Sequence, residues 1–388
     1  MKQLGFLSAG IRFRDVRGGS TTFHTFARGT VALLVGVALA SVPVALVAVS
    51  AVPASASATA PGVTLPVGPR PASVPANYLI TPEGYFDPHC VYQVNANQVL
   101  TPAGNGMALV TIPASAVASA RSLTMQSSAS ARKQVAYTLT AEQIAAAPKV
   151  PPCDHPRYDL TGKMVPASQQ DSAPAVSQNP TINGWLESGS ATLGAMSYLH
   201  AQWNVPAAPS NKSSQTVYFF PGFQNLSGSA IIMQPVLGWN AGGGIPGWSG
   251  ASWNCCSVGN AYHSAFIRVT GSTISGDVGG SGCSTSTGVC SNWQIVTYDW
   301  GSGASTTFNT NAGGRVMNWT FGGVIEAYSV GSCNEFPGTS VTYSAFYLDN
   351  INGAHISTPS WTHNTAAAGT SPSCSYSVSG GTNVTLNY

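Results

Sequence analysis

Residues 315–330 read RVMNWTFGGVIEAYSV, and the second half of this stretch has the pattern of a β-strand. In an extended strand Val324, Glu326 and Tyr328 fall on one face, and the residues between them fall on the other. Such period-two alternation is typical of half-buried strands. The stretch therefore predicts a strand that carries one carboxylate, Glu326, in apolar and aromatic surroundings.

Short runs of the same kind recur through residues 184–388, separated by Gly, Ser, Asn and Pro. Candidate strands are MSYLHAQWNV, QTVYFF, AIIMQPVLGW, AYHSAFIRVT, NWQIVTYDW, VTYSAFYL and SYSVSGGTNVTLNY, besides the stretch above. Eight or more strands without a convincing helix predict an all-β fold, a two-sheet antiparallel β-sandwich of jelly-roll (concanavalin-like) type. The absence of a fixed-period repeat disfavours a propeller.

The composition excludes several classes of protein. The chain has 388 residues, of which 44% are hydrophobic and only 7% are charged, with a formal net charge of +2. Five of its fifteen basic residues lie within the first thirty positions, so the remainder is close to neutral. A neutral chain has no electrostatic footprint for nucleic acid or for an anionic membrane.

The N-terminus has the features of a secretory signal. A basic segment precedes the apolar run VALLVGVALASVPVALVAVSAV, and small residues in an Ala-x-Ala pattern follow as far as Ala58. The alternative is an uncleaved membrane anchor, which Pro43 in the middle of the run and the cleavage-like end disfavour. We predict a signal peptide at residues 1–58 and an extracellular, secreted, monomeric protein with no stable membrane association after the signal is removed.

Export gives the eight cysteines a structural interpretation, because an oxidising compartment permits disulfides. Cys283 and Cys290 flank a Ser/Thr/Gly tip and could close a hairpin, while Cys90 and Cys153 are the two cysteines of the first half. No C-x-x-C pair is present, so we predict no zinc site and no other metal.

Residues 59–183 form a separate N-terminal region. It begins with a Pro/Ala/Val-rich spacer and ends with a polar linker at residues 161–183. Between them, the segment MALVTIPASAVASA could hold a strand and a short helix. Thr140 and Gln143 predict a capping box at the start of another helix, which Pro148 ends.

Ionisable groups in residues 184–388 are few, which limits the possible chemistry. No G-x-S-x-G motif and no H-x-x-x-H pair is present, so a serine triad and a helical metal site are disfavoured. Burial would raise the pKa of Glu326, which could then act as a general acid or base. Gln234, in the apolar run IIMQPVLGW, could donate to an oxyanion. The plainer alternative is that both side chains only bond to neighbours.

Six short blocks, in shared order and spacing, resemble the eqolisin family of glutamic peptidases. They are AQWNVP, FFPGFQNLSGSAIIMQPV, WSGASW, GSTISGDV, NWQIVTYD and GGVIEAY, within residues 195–350. The resemblance implies a β-sandwich whose concave face presents a catalytic glutamine and glutamate, matching Gln234 and Glu326. It also implies that residues 59–183 are a prosegment removed on activation, near Arg132–Lys133 or in the later linker.

The resemblance further implies an acid-acting endopeptidase that needs no cofactor and takes a peptide or protein substrate. Glu326 would remove a proton from the attacking water, and the Gln234 amide would stabilise the oxyanion. The side chains that we expect to bind substrate are Phe220, Gln224, Trp239, Trp253 and Tyr328. The sequence departs from the family in FPGFQ, which keeps only Gly222 of a Trp-x-Gly-x-Asp stretch, and at Ser252, where the family has an acid.

Two other classes of function remain open from the sequence. Six tryptophans could line a sugar-binding or polysaccharide-cleaving groove: Trp239, Trp248, Trp253, Trp293, Trp300 and Trp319. A glycosidase needs two carboxylates, and Glu335, the nearest to Glu326 in sequence, is expected in a loop after the strand. A catalytically inactive, secreted structural module would fit the low charge equally well.

Overall fold

The computed structural model describes residues 64–66, 68–112, 137–165, 182–228, 230–365 and 374–388. All of them belong to the compact unit Ser55–Tyr388. The predicted signal peptide lies outside the described residues, as do most of the predicted linker and the Arg132–Lys133 site. Within the described ranges, no helix is long and apolar enough to cross a membrane.

The described residues are almost entirely β-structure, which confirms the predicted fold class. They form three sheets and one short α-helix, α1 (Ala141–Ala146). Helix α1 begins at the predicted capping box, because Thr140 accepts from the Gln143 amide and Gln143 accepts from the Thr140 amide. The two large sheets pack against each other as a sandwich.

The first large sheet has nine strands, and it carries the predicted catalytic residues. In pairing order they are β22 (Thr362–Thr365), β9 (Ile182–Thr192), β19 (Trp319–Val330), β11 (Thr216–Gln224), β12 (Ile232–Trp239), β13 (Trp248–Cys255), β14 (Ala261–His263) and β3 (Val91–Gln93), with β15 (Ile267–Arg268) beside β13. All pairs are antiparallel except β14 with β3.

The second large sheet has eleven strands. In pairing order they are β23 (Ser377–Ser379), β24 (Val384–Asn387), β20 (Val341–Asn350), β10 (Met196–Asn204), β16 (Thr273–Ser284), β17 (Val289–Asp299), β18 (Ser305–Thr310), β4 (Gln98–Ala103), β5 (Gly106–Thr111) and β6 (Lys149–Val150), with β21 (His355–Ile356) beside β20. Strands from the N-terminal region thus extend both large sheets.

A small third sheet consists entirely of residues from the N-terminal region. Its strands are β1 (Leu79–Thr81), β2 (Gly84–Phe86), β7 (Arg157–Tyr158) and β8 (Met164–Val165), in that order. We call β1, β2 and the turn between them, residues 79–86, the cap hairpin. The disulfide between Cys90 and Cys153 joins the chain just after β2 to the chain just before β7.

Two hydrophobic clusters lie on opposite faces of the nine-stranded sheet. The inner face, with Phe219, Leu237 and Ile325, packs into the core between the two large sheets. The outer face, with Phe220, Val236 and Val324, packs with residues of the cap hairpin, including Ile80 and Tyr85. Both faces are buried, so the period-two alternation of β11, β12 and β19 separates two apolar environments.

The disulfides include the one predicted between Cys283 and Cys290, which closes a hairpin. Cys90 pairs with Cys153, as their isolation in the first half suggested. Cys333 pairs with Cys374, and Cys255 pairs with its neighbour Cys256. The described residues contain no free cysteine.

Candidate active site

Glu326 lies on the outer face of β19 and is completely buried. Its Oε1 accepts from the backbone N–H of Glu83 at 2.9 Å and from the Tyr328 hydroxyl. Its Oε2 accepts from the indole Nε1 of Trp185 at 2.9 Å. The carboxylate is therefore held in one orientation by three donors.

Burial determines the protonation of Glu326. Desolvation raises its pKa to about 7, although the three donors from Tyr328, Glu83 and Trp185 oppose this shift. The group can consequently change protonation state near neutral pH while it stays hydrogen-bonded. A carboxyl with these properties can both take up and release a proton, as a general base and acid must.

Gln234 is also completely buried, on the outer face of β12 beside Ile232 and Val236. Neither its Oε1 nor its Nε2 has a hydrogen-bond partner among the described residues. A buried amide without partners costs roughly 1–3 kcal/mol of stability. Such groups are rare in folded proteins and call for an explanation, such as a ligand or a water that completes the bonds.

The strand register shows where Glu326 and Gln234 lie relative to each other, because both are neighbours of Phe220 on β11. Phe220 pairs with Val324 on β19. The β11–β12 ladder, which pairs Phe219 with Leu237, places Val236 opposite Phe220 on the other side. Glu326 and Gln234 are each a diagonal neighbour of Phe220, one step of about 7 Å in a sheet. They therefore share one face and flank the same aromatic ring, without a hydrogen bond between them.

Three of the predicted substrate-binding residues lie on this outer face close to the two polar groups. They are Phe220, Tyr328 and Trp253, and Trp253 pairs directly with Gln234. Gln224 follows Phe220 on the same face at the end of β11, where it is nearly buried. Trp239 belongs to the inner cluster and packs on Trp248, with ring centroids 5.3 Å apart, so it points away from Glu326.

The cap hairpin covers the outer face directly above Glu326. Glu83 is at its tip, between Pro82 and Gly84, and has a φ of +87°. The Tyr218 hydroxyl donates to the Ile80 carbonyl at 3.2 Å, and the Tyr85 ring meets the Tyr328 ring edge-on at 5.4 Å. Glu326, which this hairpin contacts directly, does not reach solvent in this structure, and Gln234 is completely buried as well.

A second acid and a base are buried beside Glu326. Glu83 has a pKa well above its usual range, because of burial and of repulsion from Glu326, while attraction to Arg157 acts against the shift. Arg157 is nearly buried, lies over the Phe86 ring and donates to the Cys256 sulfur at 2.8 Å. Two carboxyl groups at close range resist simultaneous ionisation, so they favour sharing a proton.

Sequence reasoning did not identify Glu83, Trp185 and Tyr218 as site residues. Glu83 is 243 positions from Glu326, so no local pattern relates them. The one available signal was TPEG at residues 81–84, where Pro followed by a residue before Gly predicts a tight turn. Trp185 and Tyr218 pair with Glu326 from the two flanking strands, which requires knowledge of the register.

The tryptophans considered for a sugar-binding groove differ in exposure. Trp253, Trp293 and Trp239 are buried, Trp248 and Trp319 are half-buried, and Trp300 is 47% exposed. Glu335, the possible partner carboxylate for Glu326, lies in a short 3-10 turn, Cys333–Glu335, after β19. It accepts from the Asn211 side chain and the Gly331 amide.

One group with metal-ligand geometry occurs among the described residues, and it is separate from Gln234 and Glu326. Asp87, His89 and His155 place one potential ligand atom each within 4.8 Å of one another, next to the Cys90–Cys153 disulfide. The His89 Nδ1 lies 2.8 Å from Asp87 Oδ1, which is an ordinary hydrogen bond.

Comparison with solved structures finds glutamic peptidases. The crystal structure of scytalido-glutamic peptidase with a peptide-based transition state analog aligns at 13% identity and a TM-score of 0.39, covering 53% of this chain and 98% of that one. SCP-B, a member of the eqolisin family in complex with the tripeptide Ala-Ile-His, aligns at 14% identity and a TM-score of 0.37, with the same coverage of both chains.

A less similar match is the full-length tailspike protein 2 of the Escherichia coli O157:H7 bacteriophage CAB120. It aligns at 15% identity and a TM-score of 0.22, over 50% of this chain and 25% of that one. No family model and no curated protein matches the chain. At these values, the comparisons describe a likeness of fold alone.

Proposed function

We propose that the protein is a secreted, acid-acting endopeptidase that uses Glu326 and Gln234 to hydrolyse peptide bonds. The observation that carries this proposal is that two buried polar groups lie on one sheet face, on either side of Phe220. One is a carboxyl with a pKa near 7, and the other is an amide with neither of its atoms satisfied. At Gln234, a purely structural face would bury an apolar side chain or a paired polar group.

In the reaction, ionised Glu326 accepts a proton from a water molecule, and the resulting hydroxide attacks the peptide carbonyl carbon. The Gln234 Nε2–H group donates to the oxygen that becomes negative. Protonated Glu326 then gives its proton to the leaving nitrogen as the C–N bond breaks, which regenerates the carboxylate. The products are a carboxylic acid and an amine, and one water is consumed.

The other residues of the outer face have roles in this scheme. Tyr328 and Trp185 remain hydrogen-bonded to Glu326 and keep it oriented when the Glu83 amide leaves. Their donors then favour the ionised form in a more hydrated site, so the pKa of Glu326 falls and a carboxylate is available in mild acid. Phe220 and Trp253 supply apolar contacts for substrate side chains.

The test is hydrolysis of denatured casein between pH 3 and pH 7 by the wild-type chain and by a variant with a disrupted cap hairpin. Glu326→Gln keeps the shape of the side chain but cannot exchange a proton. Glu187→Gln is the matched control, because Glu187 is a second buried acid on the neighbouring strand β9. Activity lost only in Glu326→Gln supports the proposal, and equal activity in all variants overturns it.

A further inference from the structure

We propose that the cap hairpin is a built-in inhibitor that occupies the substrate position on Glu326 and is displaced without the rest of the N-terminal region leaving. This inference rests on the proposed function for the identity of the site. It concerns how access to Glu326 is controlled, and its physical part can be measured without any assay of activity.

The hairpin uses the hydrogen-bonding position that the reaction needs. Oε1 of Glu326 accepts from the Glu83 amide, and an attacking water would have to donate to this same carboxylate. The neighbouring contacts make the closure complete, because Tyr218 binds the Ile80 carbonyl and Tyr85 covers Tyr328. A peptide can reach Glu326 only when this hairpin moves.

The tip of the hairpin is built for weak docking. A φ of +87° lies in the left-handed region, which glycine occupies freely and glutamate occupies with strain. The Glu83 Oε1 is buried without a hydrogen-bond partner among the described residues. The side chain of Glu83 also lies close enough to Glu326 for repulsion between the two carboxyl groups. Each of these features opposes docking, whereas a permanent core contact would avoid them.

The rest of the N-terminal region is joined to the sandwich much more firmly. β3 pairs with β14 in the nine-stranded sheet, and β4 pairs with β18 in the eleven-stranded sheet. Leu100, Met107 and Val150 belong to the core between the two sheets. Loss of these residues would open a hole in that core and expose two sheet edges, so we infer that they stay.

The disulfide at the foot of the cap hairpin has a covalent consequence. A cut anywhere between Cys90 and Cys153, including the Arg132–Lys133 site, leaves the two fragments linked. Such a cut alone does not release the hairpin. The displacement that opens the site is therefore a movement of residues 79–86 on a retained base.

The experiment compares two substitutions at the tip, in the full-length chain. Glu83→Pro cannot adopt a φ of +87° and removes the amide that bonds to Glu326. Glu83→Gly accepts the positive φ and keeps this amide. Both remove the carboxylate, so they differ in docking alone. Hydrogen exchange of the amides in residues 79–86, followed by mass spectrometry, reports docking directly.

We expect exchange in residues 79–86 to be at least about tenfold faster in Glu83→Pro than in Glu83→Gly, with amides of the two large sheets unchanged. Casein hydrolysis should rise by about the same factor in Glu83→Pro, since activity scales with the open fraction. Equal exchange in the two variants overturns the proposal that the cap hairpin is displaceable. Faster exchange in Glu83→Pro, with no casein hydrolysis by either variant, supports a displaceable cap hairpin and overturns the proposed peptidase function.

A second variant keeps the test decisive if Glu83→Pro fails to fold. Tyr85→Ala leaves the turn intact and removes the ring that covers Tyr328. It should also speed exchange in residues 79–86 relative to the wild-type chain. Unchanged exchange in Tyr85→Ala contradicts the proposal, because a displaceable hairpin must respond to the loss of this contact.

Discussion

The two faces of the nine-stranded sheet are equally buried but differently composed. The inner face packs apolar side chains such as Phe219 and Leu237 against the second sheet. The outer face holds Gln234, which has no hydrogen-bond partner among the described residues, and Glu326, which lies beneath a hairpin whose tip is an acid, Glu83. Polar atoms without a partner among the described residues occur on both sides, including the indole Nε1 of Trp239 on the inner face. The distinctive feature of the outer face is a buried carboxylate that the cover contacts directly, through the Glu83 amide.

This difference separates a structural contact from one adapted to a ligand. Burial alone does not distinguish the faces, because side chains on both are inaccessible to solvent. The cost of an unsatisfied amide or of a carboxyl with a raised pKa is tolerated where a ligand completes the bonds. We therefore expect substitutions on the outer face to alter activity and those on the inner face to alter stability.

The largest expected effect is that of Glu326→Gln on activity. In the Glu83→Pro background, the kcat for denatured casein should fall about 10³-fold, because general acid–base catalysis contributes a factor of this order. Glu187→Gln in the same background should retain the activity. A loss of equal size in both variants would show that buried acids matter only for folding.

The next prediction concerns how much each cover contributes to stability: the second large sheet on the inner face and the cap hairpin on the outer face. The measurement is the free energy of unfolding in urea, followed by circular dichroism. Leu237→Ala on the inner face should lower the free energy of unfolding by about 3 kcal/mol, since it leaves a cavity in the core between the sheets. Ile80→Ala in the cap hairpin should lower it by less than about 1 kcal/mol, because the hairpin can open locally. Equal losses would contradict the distinction between a permanent and a displaceable cover.

A smaller effect, opposite in sign for stability and activity, is expected from Gln234→Leu. Replacing an unsatisfied buried amide by an apolar side chain of similar size should raise the free energy of unfolding by about 1 kcal/mol. The same change should lower kcat about 10²-fold if the amide stabilises the oxyanion. Reduced stability would show that Gln234 has a partner in solution, and unchanged kcat would remove it from the mechanism.

The sequence predicted features that depend on local pattern. Alternation around Glu326 and Gln234 predicted the strands that contain them, and the Thr140–Gln143 capping box predicted the start of helix α1. The Ser/Thr/Gly tip gave the Cys283–Cys290 closure. In each case the residues that determine the structure are neighbours in the chain, so composition and spacing are sufficient evidence.

Strands rich in small residues were harder to predict. β16, with the sequence TISGDVGGSGCS, and β9, with INGWLESGSAT, contain too many Gly and Ser residues for a clear alternation. Their partners in the sheet stabilise them instead. The placement of Trp239, however, could have been predicted from the number of residues that separate it from Gln234. Positions 234 and 239 differ by an odd number, which in a regular strand puts Trp239 on the face opposite Gln234.

The cover over Glu326 could not be predicted, because it depends on contacts between distant parts of the chain. The Glu83 amide, the Tyr218 hydroxyl and the Tyr85 ring meet this face only after three sheets have assembled. Nothing in the local sequence of the cap hairpin specifies that surface. The positive φ of Glu83 is visible only in the folded chain.

The smallest expected effect is the pH dependence of cap docking. Docking raises the pKa values of Glu83 and Glu326, so the docked form binds protons more tightly than the open form. Docking is therefore strongest below the ordinary glutamate pKa, about 4.5, and weakens as the pH rises through about 7. Arg157 opposes the shift at Glu83, and the neighbouring Tyr85, Tyr218 and Tyr328 stay neutral, because burial raises the pKa of each hydroxyl.

Acid alone should consequently leave the site closed, even though the proposed reaction is acid-acting. The indole N–H of Trp185, which donates to Glu326, is a reporter of this equilibrium in NMR spectra of tryptophan-labelled protein. Its proton shift should change between pH 5 and pH 8 in the wild-type chain and change less in Glu326→Gln, where Glu83 is the carboxyl of this pair that still titrates. A transition centred near pH 4 would mean that Glu326 is not desolvated, and that the hairpin does not exclude water from the carboxylate.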